Sequence, residues 1–113
     1  MAKYSTAEMS ARTDWSYEAG KLVHLDGPQA GQWYALDELE SVVGCGMDCN
    51  IFIHDTTVSR RHFAILRAPD CYLIRDLDST NGTFVNGVRI KEAYLQLGQV
   101  IRAGQLSFRL DPA

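Results

Sequence analysis

The sequence predicts an all-β fold, a sandwich or a barrel of short strands. After Gly20, short apolar-rich runs alternate with turn signals along the whole chain. Asn86-Gly87 separates two such runs, and this dipeptide readily takes the positive φ angles of a tight hairpin turn. No window of helical length has a 3.6-residue period, and residues 36–43 could form at most one or two helical turns. The predicted strands are Lys21–Leu25, Gln32–Leu36, Ser41–Val43, Asn50–Ile53, His62–Leu66, Cys71–Leu77, Thr83–Val85, Val88–Ile90, Gln99–Arg102 and Gln105–Leu110.

Alternation of apolar and polar residues predicts which side of a strand faces the core. In the run 106–110, every second residue is apolar and the residues between are polar. In the run 71–77, Cys71, Leu73 and Leu77 share one parity, which Arg75 interrupts. Both runs are therefore predicted as half-buried antiparallel strands, with these apolar positions on the inner side.

Length and charge limit the classes of protein that the chain can belong to. Its 113 residues suit one domain with its own core, and its net charge of −3 disfavours a nucleic-acid binder. No apolar run is long enough for a membrane helix, and the N-terminus lacks the apolar core of a secretory signal. We expect a cytoplasmic protein with a flexible N-terminal tail over 1–18 and one folded domain over 19–113.

The cysteine pattern favours free thiols. Three cysteines without a secretory signal argue against a disulfide framework. Cys45 and Cys49 are followed by His54 and His62, so a zinc site is an alternative, but the usual paired, closely spaced ligands are missing. We predict neither a metal nor a cofactor.

Two polar clusters follow predicted strands, at residues 58–62 and 78–83. Loops of a sandwich gather at its ends, so the two clusters can meet at one end. Hydroxyl, guanidinium and amide groups suit a phosphate monoester attached to a peptide backbone better than they suit a reaction. The residues that supply these groups are Ser59, Arg60, Arg61, Thr80 and Asn81.

Residues 43–51, 58–62 and 76–87 resemble, in this order, the signature of the forkhead-associated (FHA) domain. With the strand pattern included, the resemblance covers about residues 21–110. It implies the eleven-stranded, two-sheet antiparallel β-sandwich of the FHA/SMAD-like type. It also implies a non-catalytic module whose loops at one end bind phosphothreonine-containing protein segments.

The resemblance assigns roles to single residues. Ser59 resembles the serine whose hydroxyl binds the phosphate, and Arg60 resembles the next residue, which contacts phosphate or peptide. Thr80 resembles a second hydroxyl donor, and Asn81 resembles the asparagine that holds the peptide backbone. Two further residues, Gly44 and His62, resemble those that shape the binding loops from below.

One position departs from the family pattern. Most phosphothreonine-binding members have an arginine after the glycine of the first motif, where this chain has Cys45. Arg60 and Arg61 could compensate, the ligand could bind weakly, or it need not be phosphorylated. Cys45 and Arg61 are therefore possible additional ligand contacts.

Three functions from different classes are compatible with these residues. The first is phosphothreonine-dependent protein recognition in signalling or transcriptional regulation, and the second is phosphate-independent recognition on the same fold. The third, a hydrolase that uses Ser59 and His62, lacks an oxyanion-hole motif. Residues 87–95 also resemble FHA domains of bacterial sigma-54-dependent transcription activators. The expected partner is a phosphothreonine protein or an attached domain of a longer chain.

Overall fold

The computed structural model describes residues 17 and 19–113, which form eleven β-strands. The strands are β1 Gly20–His24, β2 Trp33–Ala35, β3 Glu40–Gly44, β4 Ile51–Phe52, β5 Phe63–Arg67, β6 Tyr72–Asp76, β7 Thr83–Val85, β8 Val88–Ile90, β9 Glu92–Leu95, β10 Val100–Ala103 and β11 Leu106–Pro112. No helix occurs among the described residues. The predicted all-β fold class and the eleven strands implied by the resemblance are confirmed.

The strands form two sheets. The six-stranded sheet has the order β2-β1-β11-β10-β7-β8, and the five-stranded sheet has the order β4-β3-β5-β6-β9. All neighbouring pairs are antiparallel except β3 and β4, which pair in parallel through Val43 with Ile51 and Gly44 with Phe52. The expected antiparallel sandwich therefore has one short parallel pair, at the edge that carries the loop 45–50.

The core lies between the sheets and is formed by alternate side chains of each strand. On β11, Leu106, Phe108 and Leu110 are buried while the residues between them are partly exposed, as the alternation predicts. Phe63 of β5 meets Phe108 across the sandwich in an edge-to-face arrangement, with ring centroids 6.2 Å apart. This packing fixes the strands whose ends carry the polar clusters.

The structure buries the side of β6 opposite to the one that carries Leu73, so the predicted inner side of this strand is wrong. Tyr72 and Ile74 are the buried side chains of this strand, whereas Leu73 is only half-buried. A tyrosine can be buried here because its hydroxyl donates to the Leu36 carbonyl at 2.7 Å and accepts the Gly20 N–H at 2.9 Å.

Two other segments differ from the sequence-based expectations. Strand β3 begins at Glu40, within the segment that was expected to form at most one or two helical turns. Strand β9 has no counterpart among the predicted runs, because Glu92 and Tyr94 are exposed and only Leu95 is fully buried. The part of the chain that the structure describes contains no helix with the length and apolar character needed to cross a bilayer.

The predicted tail, residues 1–18, lies outside the described residues except for Tyr17. The Tyr17 hydroxyl lies 2.5 Å from the carbonyl oxygen of Ala68 and 2.8 Å from that of Cys71. Its ring also meets Tyr72 edge-on, with centroids 5.3 Å apart. Tyr17 therefore contacts the body of the sandwich next to β6.

Candidate functional site

Three connections between strands are joined to one another by hydrogen bonds at one end of the sandwich. They are the β3–β4 loop (45–50), the β4–β5 loop (53–62) and the β6–β7 loop (77–82). We call these three loops the polar end. Both predicted polar clusters belong to it, so the structure brings them together.

Ser59 links the two predicted clusters directly. Its Oγ accepts a hydrogen bond from the backbone N–H of Thr80 at 3.0 Å. Because this bond occupies a lone pair of the hydroxyl, the Ser59 proton remains available to a ligand. Ser59 is half-buried and Thr80 is exposed. The two predicted hydroxyl donors therefore lie side by side with access to solvent.

His62 holds the same two loops together from below, and it is fully buried. Its Nδ1 accepts the backbone N–H of Ser59 at 3.0 Å. Nδ1 is then unprotonated, so Nε2 carries the proton and donates to the Gly82 carbonyl at 2.8 Å. With both ring nitrogens bound to backbone groups, His62 has no free nitrogen to act as a base toward the Ser59 hydroxyl. The hydrolase alternative therefore lacks its base.

The β3–β4 loop packs on the backbone that precedes His62. The backbone N–H of Cys45 donates to the Ser59 carbonyl at 3.0 Å. A Cβ on Gly44 would lie 2.1 Å from the Arg60 carbonyl oxygen, far inside van der Waals contact. Glycine is needed at position 44 because the two loops approach each other too closely for any side chain.

The Arg60 carbonyl oxygen is surrounded by donors from the same loop. The Gly46 N–H and the Cys49 thiol both donate to it, each at 2.9 Å. Burial raises the pKa of the Cys49 thiol, so the group keeps its proton and remains a donor. Cys49 thus positions the backbone beside Ser59, a role that the sequence did not indicate.

Asn81 is held by the β4–β5 loop. Its Nδ2 donates to the Thr57 carbonyl at 2.9 Å. Thr57 is in turn fixed on two sides: its N–H donates to the Asp55 carboxylate at 2.8 Å, and its hydroxyl accepts the Gln105 N–H at 2.9 Å. A Cβ on Gly104 would lie 2.3 Å from the Thr57 carbonyl oxygen. The β10–β11 turn therefore supports the residue that holds the Asn81 side chain.

Asp76 anchors the β6–β7 loop. Its carboxylate accepts the Ser79 hydroxyl at 2.6 Å and the Thr83 hydroxyl at 2.7 Å. Burial alone would raise the pKa of Asp76, but the hydrogen bonds from Ser79 and Thr83 outweigh it and hold the pKa below its ordinary value. The ionised form of Asp76 therefore keeps Thr80 and Asn81 in place.

This pKa shift predicts a loss of stability in acid. A carboxylate with a lowered folded-state pKa contributes stability that is full above its ordinary pKa of 3.8 and disappears as the pH falls through the folded value. Asp76→Asn should lower the free energy of unfolding at neutral pH and flatten its decline between about pH 4 and pH 2. Urea unfolding across this range measures both. Asp78→Asn, at an exposed position in the same loop, is the control. Parallel pH profiles for wild type and Asp76→Asn would contradict the assignment.

Arg60 and Arg61 supply positive charge at the polar end. Both side chains are exposed, and neither forms a salt bridge with any described residue. The structure thus joins Ser59 to Thr80 by a direct hydrogen bond and holds Asn81 on the Thr57 carbonyl of the Ser59 loop, which also carries the two arginines. Cys45 lies beside Ser59, because its backbone N–H binds the Ser59 carbonyl. Its thiol, however, cannot supply the charge of an arginine.

The two-sheet fold and this end, where exposed hydroxyl, amide and guanidinium groups converge, are typical of a recognition module. The sequence profile of the FHA domain family matches residues 41–104, which is more than half of the chain. The chain therefore belongs to the FHA family.

Several known proteins resemble the chain. The oxoglutarate dehydrogenase inhibitor of Corynebacterium jeikeium is 40% identical over 89 residues, which are 79% of this chain and 60% of that protein. A solved FHA domain, from work on phosphothreonine-dependent FHA domain interactions, is 37% identical with a TM-score of 0.78 and covers 84% of this chain and 97% of its own. EmbR of Mycobacterium tuberculosis, solved with a low-affinity phosphopeptide, is 28% identical with a TM-score of 0.77; the match covers 85% of this chain and 25% of EmbR.

These relatives limit what can be transferred. The chain spans only 60% of the length of the C. jeikeium inhibitor, so the similarity concerns the FHA domain and not that whole protein. The resemblance to domains of sigma-54-dependent activators finds no support among the three relatives and stays a prediction.

Proposed function

We propose that the polar end binds phosphothreonine-containing protein segments and that the domain acts as a phosphorylation-dependent recognition module. The observation that carries this is the Ser59–Thr80 pair, in which one hydroxyl is already oriented by the neighbouring loop. The Ser59 and Thr80 hydroxyls donate to the phosphate, and the Asn81 amide holds the peptide backbone. Gly44 and His62 keep the loops at the required separation.

Positive charge for the phosphate comes from Arg60, with Arg61 as a second contact. Both guanidinium groups are exposed and free of salt bridges to described residues, so a phosphate does not have to displace a carboxylate. Membership of the FHA family, together with relatives studied for phosphothreonine-dependent binding, favours this function over phosphate-independent recognition.

The wider role of the domain is regulatory rather than catalytic. A relative is named as an inhibitor of an enzyme, which is consistent with a domain that acts by binding other proteins. Protein kinases need ATP to make phosphothreonine, so the domain acts in the cytoplasm. Its partner is a phosphorylated protein or an attached domain of a longer chain.

Calorimetric titration with matched phosphorylated and unphosphorylated peptides tests this function. A phosphothreonine peptide selected from a library should bind, and its unphosphorylated form should bind at least about tenfold more weakly. Ser59→Ala should reduce that ratio, because it removes the donor to the phosphate and the acceptor for the Thr80 N–H. Thr56→Ala is a matched control, since this exposed residue belongs to the same loop.

Two results would count against the proposal. The first is equal affinity of the wild-type domain for both peptides, which would favour phosphate-independent recognition. The second is an unchanged ratio in Ser59→Ala when the variant retains the melting temperature of the wild type, which would remove Ser59 from the phosphate site.

Cys45→Arg should strengthen phosphate binding. A guanidinium at this half-buried position would add a charged donor suited to phosphate oxygens, worth about 1–2 kcal/mol after discounting for solvent exposure. Affinity for the phosphorylated peptide should rise by about tenfold, while affinity for the unphosphorylated peptide stays the same. The flanking glycines, Gly44 and Gly46, are packed against the Arg60 carbonyl, so the room for the new side chain must come from the solvent side of Cys45.

The variant is to be compared with Cys45→Gln, which adds length without charge. If both variants bind the phosphopeptide as the wild type does, the surface at position 45 does not face the phosphate.

A further inference from the structure

Strand β9 forms an open edge of the five-stranded sheet. It is the last strand in the order of that sheet and pairs only with β6. The Asp76 N–H donates to the Lys91 carbonyl at 2.8 Å, so these residues form a hydrogen-bonded pair at the start of the antiparallel ladder. Bonded and non-bonded pairs alternate along such a ladder. Ala93 therefore also bonds to β6, whereas the N–H and C=O groups of Glu92 and Tyr94 point away from the sheet.

The outward backbone groups of Glu92 and Tyr94 are open to another chain. Within residues 17 and 19–113, no backbone group hydrogen-bonds to them. This open stretch ends at Gln96, whose N–H is bound by the Gln99 side chain at 2.8 Å. Two donors and two acceptors thus remain, and an unpaired strand edge of this kind is a template for an added strand.

Apolar surface lies on both sides of this edge. On the outer face of the sheet, the Tyr94 side chain is 71% exposed and lies beside the half-buried Leu73 of β6. On the inner side, Ala93 and Ile90 are half-buried and pack against the core. Successive residues of a strand point to opposite faces. Two consecutive apolar residues of an added strand would therefore cover Tyr94 on one side and Ala93 on the other.

The start of β9 carries positive charge. Lys91 and Arg89 are exposed, and neither forms a salt bridge in the part of the chain that the structure describes. They line a shared depression with one exposed carboxylate, that of Asp78, whereas the Asp76 carboxylate there is engaged by the Ser79 and Thr83 hydroxyls. An acidic residue of an added strand would complement the excess cation beside Lys91.

A second copy of β9 does not match these requirements. Antiparallel pairing centred on Glu92 would place two like charges opposite each other, which is destabilising. Pairing centred on Ala93 would place Glu92 of the other copy, instead of an apolar residue, beside Tyr94. Pairing centred on Tyr94 would need the Gln96 N–H, which Gln99 already binds. The edge therefore fits a different chain better than it fits its own copy.

We propose that the edge of β9 binds an extended, unphosphorylated segment of a partner protein, which adds to the five-stranded sheet as a sixth, antiparallel strand. The segment bonds to the backbone of Glu92 and Tyr94. Its first two residues are apolar and cover Tyr94 and Ala93, and its fourth residue is acidic and approaches Lys91. This surface requires no phosphate and shares no residue with the phosphothreonine site.

Selection of random unphosphorylated peptides, displayed on phage, tests the edge. Wild type should enrich two consecutive apolar residues with an acidic residue two positions later, and Tyr94→Pro should not. This change removes the exposed ring and the outward N–H but no bond to β6, a position where an edge strand tolerates proline. Trp33→Pro is the matched control, since Trp33 is an exposed aromatic residue on edge strand β2 and its N–H also points outward.

Titration with one enriched peptide gives the size of the effect. Tyr94→Pro should bind at least about tenfold more weakly than wild type, and Trp33→Pro should bind equally well. Tyr94→Ala keeps the backbone N–H and should bind about two- to tenfold more weakly, so it decides the question if Tyr94→Pro does not fold. Bound peptide should also slow hydrogen exchange of the Glu92 and Tyr94 amides, without an effect on the polar end.

Three results would overturn the proposal. The first is selection on wild type that retains no peptide above the level of Tyr94→Pro. The second is an equal loss of affinity in Tyr94→Pro and Trp33→Pro at equal melting temperature, or peptide protection of amides at the polar end instead of β9. The third is self-association of the wild-type protein that Tyr94→Pro abolishes, which would assign the edge to a second copy.

Discussion

Gly44→Ala is expected to lower the free energy of unfolding by about 3 kcal/mol and the melting temperature by about 15 °C. The added methyl group would lie 2.1 Å from the Arg60 carbonyl oxygen and 2.9 Å from that of Ser59, and backbone atoms cannot move aside as a flexible side chain can. The displaced carbonyl would also lose the bonds from Gly46 and Cys49. Because Ser59 moves with this backbone, the variant that remains folded should bind the phosphothreonine peptide more than about tenfold more weakly.

Gly98→Ala provides the control for this result. Gly98 has a positive φ of 86° and no atom within 4 Å of an added Cβ, so alanine there costs about 1 kcal/mol of backbone strain and meets no other group. Its stability should fall slightly and its peptide affinity should not change. A Gly44→Ala variant with wild-type affinity would mean that Ser59 does not depend on the β3–β4 loop.

His62→Ala is expected to have a comparable effect for a different reason. It removes a buried ring, leaves a cavity, and deprives the Ser59 N–H and the Gly82 carbonyl of their partners. Each unsatisfied group costs about 1–3 kcal/mol, so the loss of stability should exceed about 3 kcal/mol. Urea unfolding of the purified domain measures this loss.

Two conservative variants separate the roles of the two ring nitrogens. The amide oxygen of His62→Asn can replace Nδ1 as acceptor for Ser59, whereas the longer side chain of His62→Gln can reach the Gly82 carbonyl. We expect His62→Asn to preserve more peptide affinity than His62→Gln at equal stability, since Ser59 contacts the phosphate. The reverse order would show that the β6–β7 loop controls affinity.

Much of the fold could be predicted because alternation and turn chemistry are local properties. The hairpin at Asn86-Gly87 is confirmed: both residues have positive φ, 48° and 82°, and the Asn86 side chain also accepts the Val100 N–H at 2.8 Å. Strand β6 was predicted, but its buried side was misassigned because hydrophobicity alone ranks Leu73 above Tyr72 as a core residue. Tyr72 is buried because its hydroxyl finds partners on two distant segments, which no local pattern records.

The site residues that the resemblance identifies by their side chains were predicted. The residues that position the loops through backbone groups were not. Ser59, Thr80 and Asn81 were expected to meet, and the structure joins their loops. Thr57 was missed because its carbonyl and its contact with Gln105 carry no sequence signal. Asp55-Thr56-Thr57 is a turn-forming sequence, and this was the one available indication of an ordered segment there.

The contact between Thr57 and the β10–β11 turn also has a consequence for folding kinetics. The Gln105 N–H bond to Thr57 spans 48 residues, and the side-chain bonds that join the β4–β5 and β6–β7 loops span 20 to 24. Closing such long loops costs conformational entropy before the stabilising contacts have formed. Proteins dominated by contacts between residues far apart in the sequence therefore fold slowly. During synthesis β10 and β11 emerge after the other strands, and Thr57 lacks its contact with Gln105 until their turn has formed. We therefore expect the polar end to reach its final arrangement late in folding.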